Sequence, residues 1–419
     1  MLHNSEYNND YIIFPNGVIM KLEDVLNFPL GYIYMERFID KREYSPFCEY
    51  SEVDERYRTS SDHDSFDLPS FLVPRERCSI FLADPSKNLR TTYDRDTIPF
   101  RFHPELLGIN DDQFIELKRC KEGKAIPVVP TSSTRTVLSL AVPPHFIKLH
   151  LPKRISRFNR RLRTSSVEYS VSISRDLEKV TFNQFAYLPE TIGIAYDRNG
   201  GFGFLVREIS PRPLEQDRFL IPYFSLYSQD TKKSGDKPLL VQMIDLRGED
   251  PTSFVLEKIL SPLIRAWCVV LKERGILLES HGQNVLLEID HDLNPNRVVH
   301  RDFQSSMVNP SIRVAEGLDN PFKKHLIGVD GYFTREQEYS LVYDYLIGHH
   351  LFDSLAGTLS KFYKIDINDI TERCKHEFGQ MLDEQVLSSF PSTTFRYVEE
   401  PFPDNVPRLK NTNQKPKWR

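Results

Sequence analysis

The chain has 419 residues, 40% of them hydrophobic and 12% aromatic, with 54 Lys plus Arg against 59 Asp plus Glu and a formal net charge of -5. One hydrophobic core rarely organises more than roughly 250 to 300 residues, so more than one core is expected and a disordered polymer is excluded. The acidic balance excludes a dedicated nucleic-acid or anionic-membrane binder, so any anion site must be local.

Cysteines at 48, 78, 120, 268 and 374 form no CxxC pair. That fits neither a disulfide framework nor a zinc or iron-sulfur site, and it points to a reducing cytoplasm. The N-terminal stretch lacks a basic start followed by a sustained apolar run, and no later stretch approaches the roughly 18 uninterrupted apolar residues of a membrane span. A cytoplasmic protein without leader or anchor is expected.

In chain order, residues 1 to about 95 mix short apolar pieces at 11–14, 71–73 and 80–83 with a polar interval at 49–67 that reads as a mobile loop. From Ile126 to about Leu246 the pattern turns to runs such as TVLSLAV, HFIKLHL, VEYSVSI and GFGFLVREI, punctuated by Pro and Gly, which predicts a largely antiparallel sheet. In FIKLHL a strand puts Ile147, Leu149 and Leu151 on one face and Lys148 on the other. At Asp250 and Pro251 the period switches. Asp250 suits an N-cap, Pro251 the first helical position, and Phe254, Ile259, Leu263, Trp267, Val270 and Leu271 recur at helical spacing until Gly275. Further helices are predicted at 335–363 and 368–387, and the tail from Pro401, with four prolines, reads as irregular chain or a surface strap.

Three stretches carry chemistry. The first joins four consecutive hydroxyl residues, Thr131, Ser132, Ser133 and Thr134, to Arg135 and Thr136. Hydroxyls beside a planar guanidinium suit a polyphosphate, and a Ser/Thr-rich turn with a surface arginine is the alternative. The second concentrates Lys148, His150, Lys153, Arg154, Arg157, Arg160, Arg161 and Arg163, a local anion cradle or a solvated strand-and-loop face. No repeated basic and aromatic stacking pattern accompanies it, so nucleic acid is not expected. The third is Glu279-Ser280-His281-Gly282-Gln283-Asn284, followed after a predicted hairpin by His300-Arg301-Asp302-Phe303-Gln304. A kinase reading of His300 to Asp302 fails because no glycine-rich loop, strand lysine or DFG follows in the required order.

The ordered set SSTRT, FIKLHLPKRISRFNRR, GILLESHGQN and HRDFQ, together with IPFRFHPEL, resembles the NRPS-independent siderophore (NIS) synthetases of the IucA/IucC family over roughly residues 98 to 365. The resemblance implies an α+β, cupped-hand fold with a reduced thumb (1–125), antiparallel-sheet fingers (126–248) and a helical palm (249–419). It implies that ATP and Mg²⁺ serve to adenylate a carboxylate, citrate or a derivative, which an amine or hydroxyl then captures. By the same resemblance Ser132, Ser133, Arg135, Thr136, Lys148, Gln283 and Asn284 bind the nucleotide. Arg160 and His281 hold the substrate carboxylates, Lys148, Arg160 and His281 act in catalysis, and Glu279 and Asp302 coordinate metal. Partners are then small molecules, with a homodimer or a second synthetase as the macromolecular option. The family's HPxxK-type motif is absent from residues 1–97, and the chain is shorter than a typical member. A degenerate homologue that binds citrate or a siderophore, or regulates a synthetase, is the competing expectation, and a phosphotransfer enzyme forming ADP is a third.

Overall fold

Period-two runs separated by Pro and Gly build two sheets, and the helical periods that follow build the layer that covers the second. The computed structural model describes residues 30–38, 51–59, 65–109, 112–196, 201–215, 219–229, 235, 237–290, 292–323, 325–328, 332–400, 402 and 406–419. Residues 11–14, Cys48 and residues 60–64 of the polar interval lie outside them.

Strands up to the end of the hairpin are β1 (Phe66–Leu68), β2 (Ser70–Pro74), β3 (Cys78–Leu82), β4 (Thr97–Arg101), β5 (Lys121–Glu122), β6 (Ile126–Pro130), β7 (Thr136–Ser139), β8 (His145–Leu149), β9 (Arg154–Ile155), β10 (Phe158–Asn159), β11 (Phe185–Tyr187), β12 (Glu190–Tyr196), β13 (Phe202–Glu208), β14 (Phe219–Pro222), β15 (Ile276–Leu277), β16 (Val285–Ile289) and β17 (Pro295–His300). The central sheet runs β1-β6-β7-β8-β13-β12-β3, antiparallel throughout. The second sheet runs β11-β17-β16-β14, with β11 parallel to β17 and the hairpin β16/β17 antiparallel. Pairing therefore crosses the borders expected at 125/126 and 248/249: β1 and β3 join the central sheet, and β11 and β14 flank the hairpin.

Alternation assigns the faces. Val128, Val137, Ile147, Leu149, Ile192 and Phe204 pack on one side of the central sheet beneath β2, β4 and the helix Lys87–Tyr93. Val129, Leu138 and Phe146 point the other way, against Ala186, Leu220, Leu286 and Val299 of the second sheet and Tyr32 and Ile33 of the helix Leu30–Phe38. The far face of the second sheet (Phe185, Ile221, Val285, Leu287, Val298) rests on the largest core, centred on the fully buried Trp267.

Two sequence expectations are corrected. VEYSVSI lies within a helix, Thr164–Leu177. Val167 and Val171 pack on Leu205, while Tyr169, Ile173 and Leu177 enter the main core. A helix buried on two sides places apolar residues at every second position and so imitates a strand. Residues near the end of the supposed sheet form the helix Leu239–Arg247.

The helix expected from Asp250 is present: Asp250 accepts from the Ser253 N–H at 2.8 Å, and Gly275 ends the helix at φ 62°. Its middle is a π segment, Leu256–Leu260. Pro262 has no N–H and crowds the carbonyl one turn back, which accounts for the widened turn before it. The 335–363 stretch is helical, with a π segment at Leu341–Phe352, and 368–387 divides into Ile367–Met381 and Glu384–Leu387. The tail is an anchored strap: Phe395–Tyr397 pairs with Leu409–Asn411, Trp418 is buried in the main core, and Arg419 grips Asp344 at 2.7 and 2.9 Å. No helix among the described residues is long and apolar enough to cross a membrane.

Candidate active site between the sheets

The central sheet contributes a polar stripe to an otherwise apolar face. Thr136 lies opposite Lys148, Lys148 opposite Leu205, and Arg207 opposite both Phe146 and Glu190, so these side chains share the face toward the second sheet. The turn entering β7 is held by its own hydroxyls. Thr131 Oγ1 donates to the Thr136 carbonyl at 2.6 Å, Ser133 Oγ accepts from the Thr136 N–H at 2.9 Å, and Thr134 takes a left-handed φ of 65°.

From the other side, register pairs Val285 with His300, which sets HGQN and HRDFQ next to each other at the open end of the hairpin. The Arg301 N–H donates to the Asn284 carbonyl at 2.9 Å, and Asn284 Nδ2 donates to the Glu279 carbonyl at 3.1 Å. Gly282 is required here, because a Cβ would meet the Tyr227 hydroxyl at 2.3 Å. Asp302 adopts a left-handed φ of 68°, which turns its carboxylate out of the strand line and toward the central sheet.

The two sides meet. Lys148 Nζ donates to Asp302 Oδ1, and Arg207 stands 3.6 Å from the same carboxylate while binding Glu190 at 2.6 Å. Arg135 donates to the Arg160 carbonyl at 3.0 Å and to Gln304 Oε1 at 2.9 Å. Gln283 Nε2 donates to Ser132 Oγ at 3.0 Å, so the hydroxyl turn and the HGQN turn touch directly. The Lys148 side chain is 2% exposed and that of Asp302 21%. The lysine is thus buried, and the aspartate that pairs with it keeps partial contact with solvent.

Electrostatics follow from this enclosure. Burial pushes the Lys148 ammonium down to about 8, against the pull of Asp302 and with the help of Arg135 and Arg207. Asp302, despite its own burial, is held far below the usual carboxylate range by Lys148, Arg207 and Arg135. Burial, reinforced by Asp302, raises Glu279 to about 7 against the opposing pull of Arg160 and Lys148. Arg135 is lowered to about 10 by burial and by Arg160. Burial lowers His281 to about 3, so the imidazole is neutral. Its Nδ1 accepts from the Gln283 N–H at 3.2 Å, which leaves the proton on Nε2.

All eleven residues singled out from the sequence therefore fall on these two converging surfaces. Ser133 is engaged in its own turn, whereas Thr136 Oγ1 is buried with no hydrogen-bond partner. Glu279 and Asp302 are close enough for each to disfavour the other's charge, a situation a divalent cation relieves. Among the described residues no group of three or more His, Cys, Asp or Glu is arranged to hold a metal by itself.

Sequence reasoning missed Arg207, Glu190 and Glu36, and named Arg301 in the HRDFQ stretch without giving it a role. Arg207 left a signal: a charge at the inward position of the otherwise apolar run FGFLV. Glu36 left none, since its helix carries no motif.

Residues 109–228 match the IucA / IucC family model, and residues 254–366 match the model of the Ferric iron reductase FhuF-like transporter. Among curated proteins, the citryl-spermidine/3,4-dihydroxybenzoyl-citryl-spermidine:spermidine ligase of Bacillus anthracis is 27% identical over 191 residues, a match spanning 42% of this chain and only 30% of that ligase. Among solved structures, ATP-bound aerobactin synthetase IucA from a hypervirulent pathotype of Klebsiella pneumoniae aligns at TM-score 0.66 and 16% identity, covering 93% of this chain and 79% of that one. Petrobactin biosynthesis protein AsbB from Bacillus anthracis str. Sterne aligns at TM-score 0.68 and 14% identity, covering 92% and 74%. The mixed α+β fold of these proteins is the fold described above.

Proposed function

We propose, from the match of residues 109–228 to the IucA / IucC family model and from the fold shared with aerobactin synthetase IucA, that the chain is an ATP-dependent, AMP-forming ligase of siderophore biosynthesis. It joins a citrate-like carboxylate to an amine or hydroxyl acceptor in the cytoplasm. The observation that carries this reading is the convergence of Lys148, Arg135 and Arg160 from the sheet side with Glu279, His281, Gln283 and Asp302 from the hairpin side.

Adenylation develops negative charge on the α-phosphorus and on the departing pyrophosphate, so cations and donors fixed in advance lower its barrier. Lys148 is the group to serve the phosphates, released from Asp302 as they arrive. Arg135, braced by Gln304 and the Arg160 carbonyl, presents its guanidinium from a fixed position, and Thr136 Oγ1 supplies a hydroxyl with its hydrogen-bonding capacity unspent. Gln283 and Asn284 flank the nucleotide. Arg160 and the Nε2–H of His281 orient the carboxylate for attack. Glu279 and Asp302 would hold a Mg²⁺ whose remaining ligands are phosphate oxygens, and that ion would neutralise phosphate charge.

The test is product identity. Pyrophosphate and AMP should form from ATP in a screen of citrate, 2-oxoglutarate and succinate with a panel of diamines, and hydroxylamine should trap the activated carboxylate as a hydroxamate. ADP as product, or full turnover by Lys148→Ala or His281→Ala protein, overturns the reading. The missing HPxxK-type motif favours a second reading, a homologue that binds citrate without turnover. It is recognised by a citrate-dependent rise in melting temperature with no hydroxamate.

A further inference from the structure

The helix Leu30–Phe38 introduces one carboxylate between the hydroxyl turn and the hairpin. Glu36 is 2% exposed; its Oε2 accepts from the Ser132 N–H at 3.1 Å and from Ser132 Oγ–H at 2.6 Å, and its Oε1 lies 2.6 Å from Arg301 Nη2. Arg301 turns back to the same assembly, with Nε donating to the Gln283 carbonyl at 2.8 Å. Gln283 closes the circuit by donating from Nε2 to Ser132 Oγ. One helical turn before Glu36, Tyr32 hydrogen-bonds Arg301 and packs edge-on against Phe146 of the central sheet, with ring centroids 5.6 Å apart. The result is a closed ring, Glu36–Ser132–Gln283–Arg301, drawn from three stretches remote in sequence.

Two features distinguish this ring from a generic buried ion pair. It ties the hydroxyl turn that precedes β7 to the HGQN turn that precedes β16, the two segments expected to grip one nucleotide. The Glu36 charge is matched by Arg301, so a carboxylate can stand beside a triphosphate site without repelling its occupant. The Ser132 N–H and hydroxyl are turned toward Glu36, which gives Ser132 a tethering task in place of direct phosphate contact.

We propose that Glu36 is a positioning residue for the nucleotide: by holding Ser132 and Arg301 it fixes the separation of the hydroxyl turn and the HGQN turn to which ATP binds. The inference rests on the nucleotide reading above. It assigns the N-terminal region a part in the site through one carboxylate that touches no substrate.

The experiment compares wild type, Glu36→Ala, Glu36→Gln, Ser132→Ala and the Glu36→Ala/Ser132→Ala double variant by ATP titration calorimetry and by steady-state pyrophosphate release. Glu36→Ala should raise the Kd and KM for ATP about tenfold or more, leave the KM for the carboxylate within about twofold and change kcat little. Glu36→Gln should fall between, because its carbonyl still accepts from Ser132 while the pair with Arg301 is lost. The double variant should be no worse than Glu36→Ala, since both changes open the same ring. Should Glu36→Ala fail to fold, Glu36→Gln and Ser132→Ala open the ring while keeping its shape. Unchanged ATP affinity in the folded variants, strict additivity, or equal weakening of both substrates overturns the inference and leaves the nucleotide reading standing. A wild-type protein that binds no ATP overturns both.

Discussion

Removing either partner of the Lys148–Asp302 pair should have unequal consequences for stability. In Lys148→Met the Asp302 carboxylate stays in its recess with Arg207 at 3.6 Å as the nearest remaining cation. A carboxylate stranded by loss of its buried partner costs about 3 kcal/mol or more. In Asp302→Asn the stranded group is the ammonium, which has an escape. Burial already lowers Lys148 to about 8 with the aspartate present, so shedding its proton at pH 7 costs about 1.4 kcal/mol at most, and less once the carboxylate is gone. Asparagine also tolerates the φ of 68° at this position, so no backbone penalty is added. Urea unfolding at pH 7 should therefore show Lys148→Met losing about twice the stability lost by Asp302→Asn, and the double variant recovering about 1 kcal/mol or more relative to Lys148→Met. Asp302→Asn as destabilising as Lys148→Met, or a double variant equal to the sum of the two, refutes the reasoning. All three proteins should be deficient in pyrophosphate release.

Further outcomes follow from single groups. Glu279 holds its proton more tightly folded than unfolded, 4.5 rising to about 7, so its contribution to stability is largest below 4.5 and is lost as pH rises through that window. Glu279→Gln should flatten this part of the profile of melting temperature against pH, and an unchanged slope would contradict the assignment. Thr136→Val removes a buried hydroxyl that has no partner. Stability should hold or rise by up to about 1 kcal/mol while the KM for ATP increases, as measured by thermal denaturation beside steady-state kinetics. Gly203→Ala would force a Cβ to 2.1 Å from the Ile194 carbonyl oxygen. A loss of about 3 kcal/mol or failure to accumulate folded protein is expected, and a wild-type melting temperature would show the strand spacing to be wrong.

The fold class and the motifs of the candidate site were legible in the sequence, while particular elements of the scaffold were not. Lys148 was legible because a cation alternates with Ile147 and Leu149 in one strand, and HGQN and HRDFQ because an apolar hairpin brackets them. Asp250 and Gly275 marked both ends of their helix. The helix Thr164–Leu177 was not legible, because burial on two faces erased the polar stripe that separates a helical period from an alternating one. Glu36 was hidden for a different reason. A single acid in an apolar helix has meaning only through Ser132 and Arg301, residues that the fold brings to it from far along the chain.

The parallel pairing of β11 with β17 also bears on how the molecule is made. Their paired residues, Phe185 with Val298 through Tyr187 with His300, lie about 110 positions apart, so at a typical synthesis rate of about 5 to 20 residues per second roughly 6 to 23 seconds separate the emergence of one strand from that of its neighbour. During that interval the nascent chain presents an apolar strand whose sheet partner is not yet made, and the two surfaces of the candidate site cannot meet until the hairpin arrives. Translational pausing within this window, or scarcity of chaperones, should depress the yield of folded protein more than its final stability would suggest.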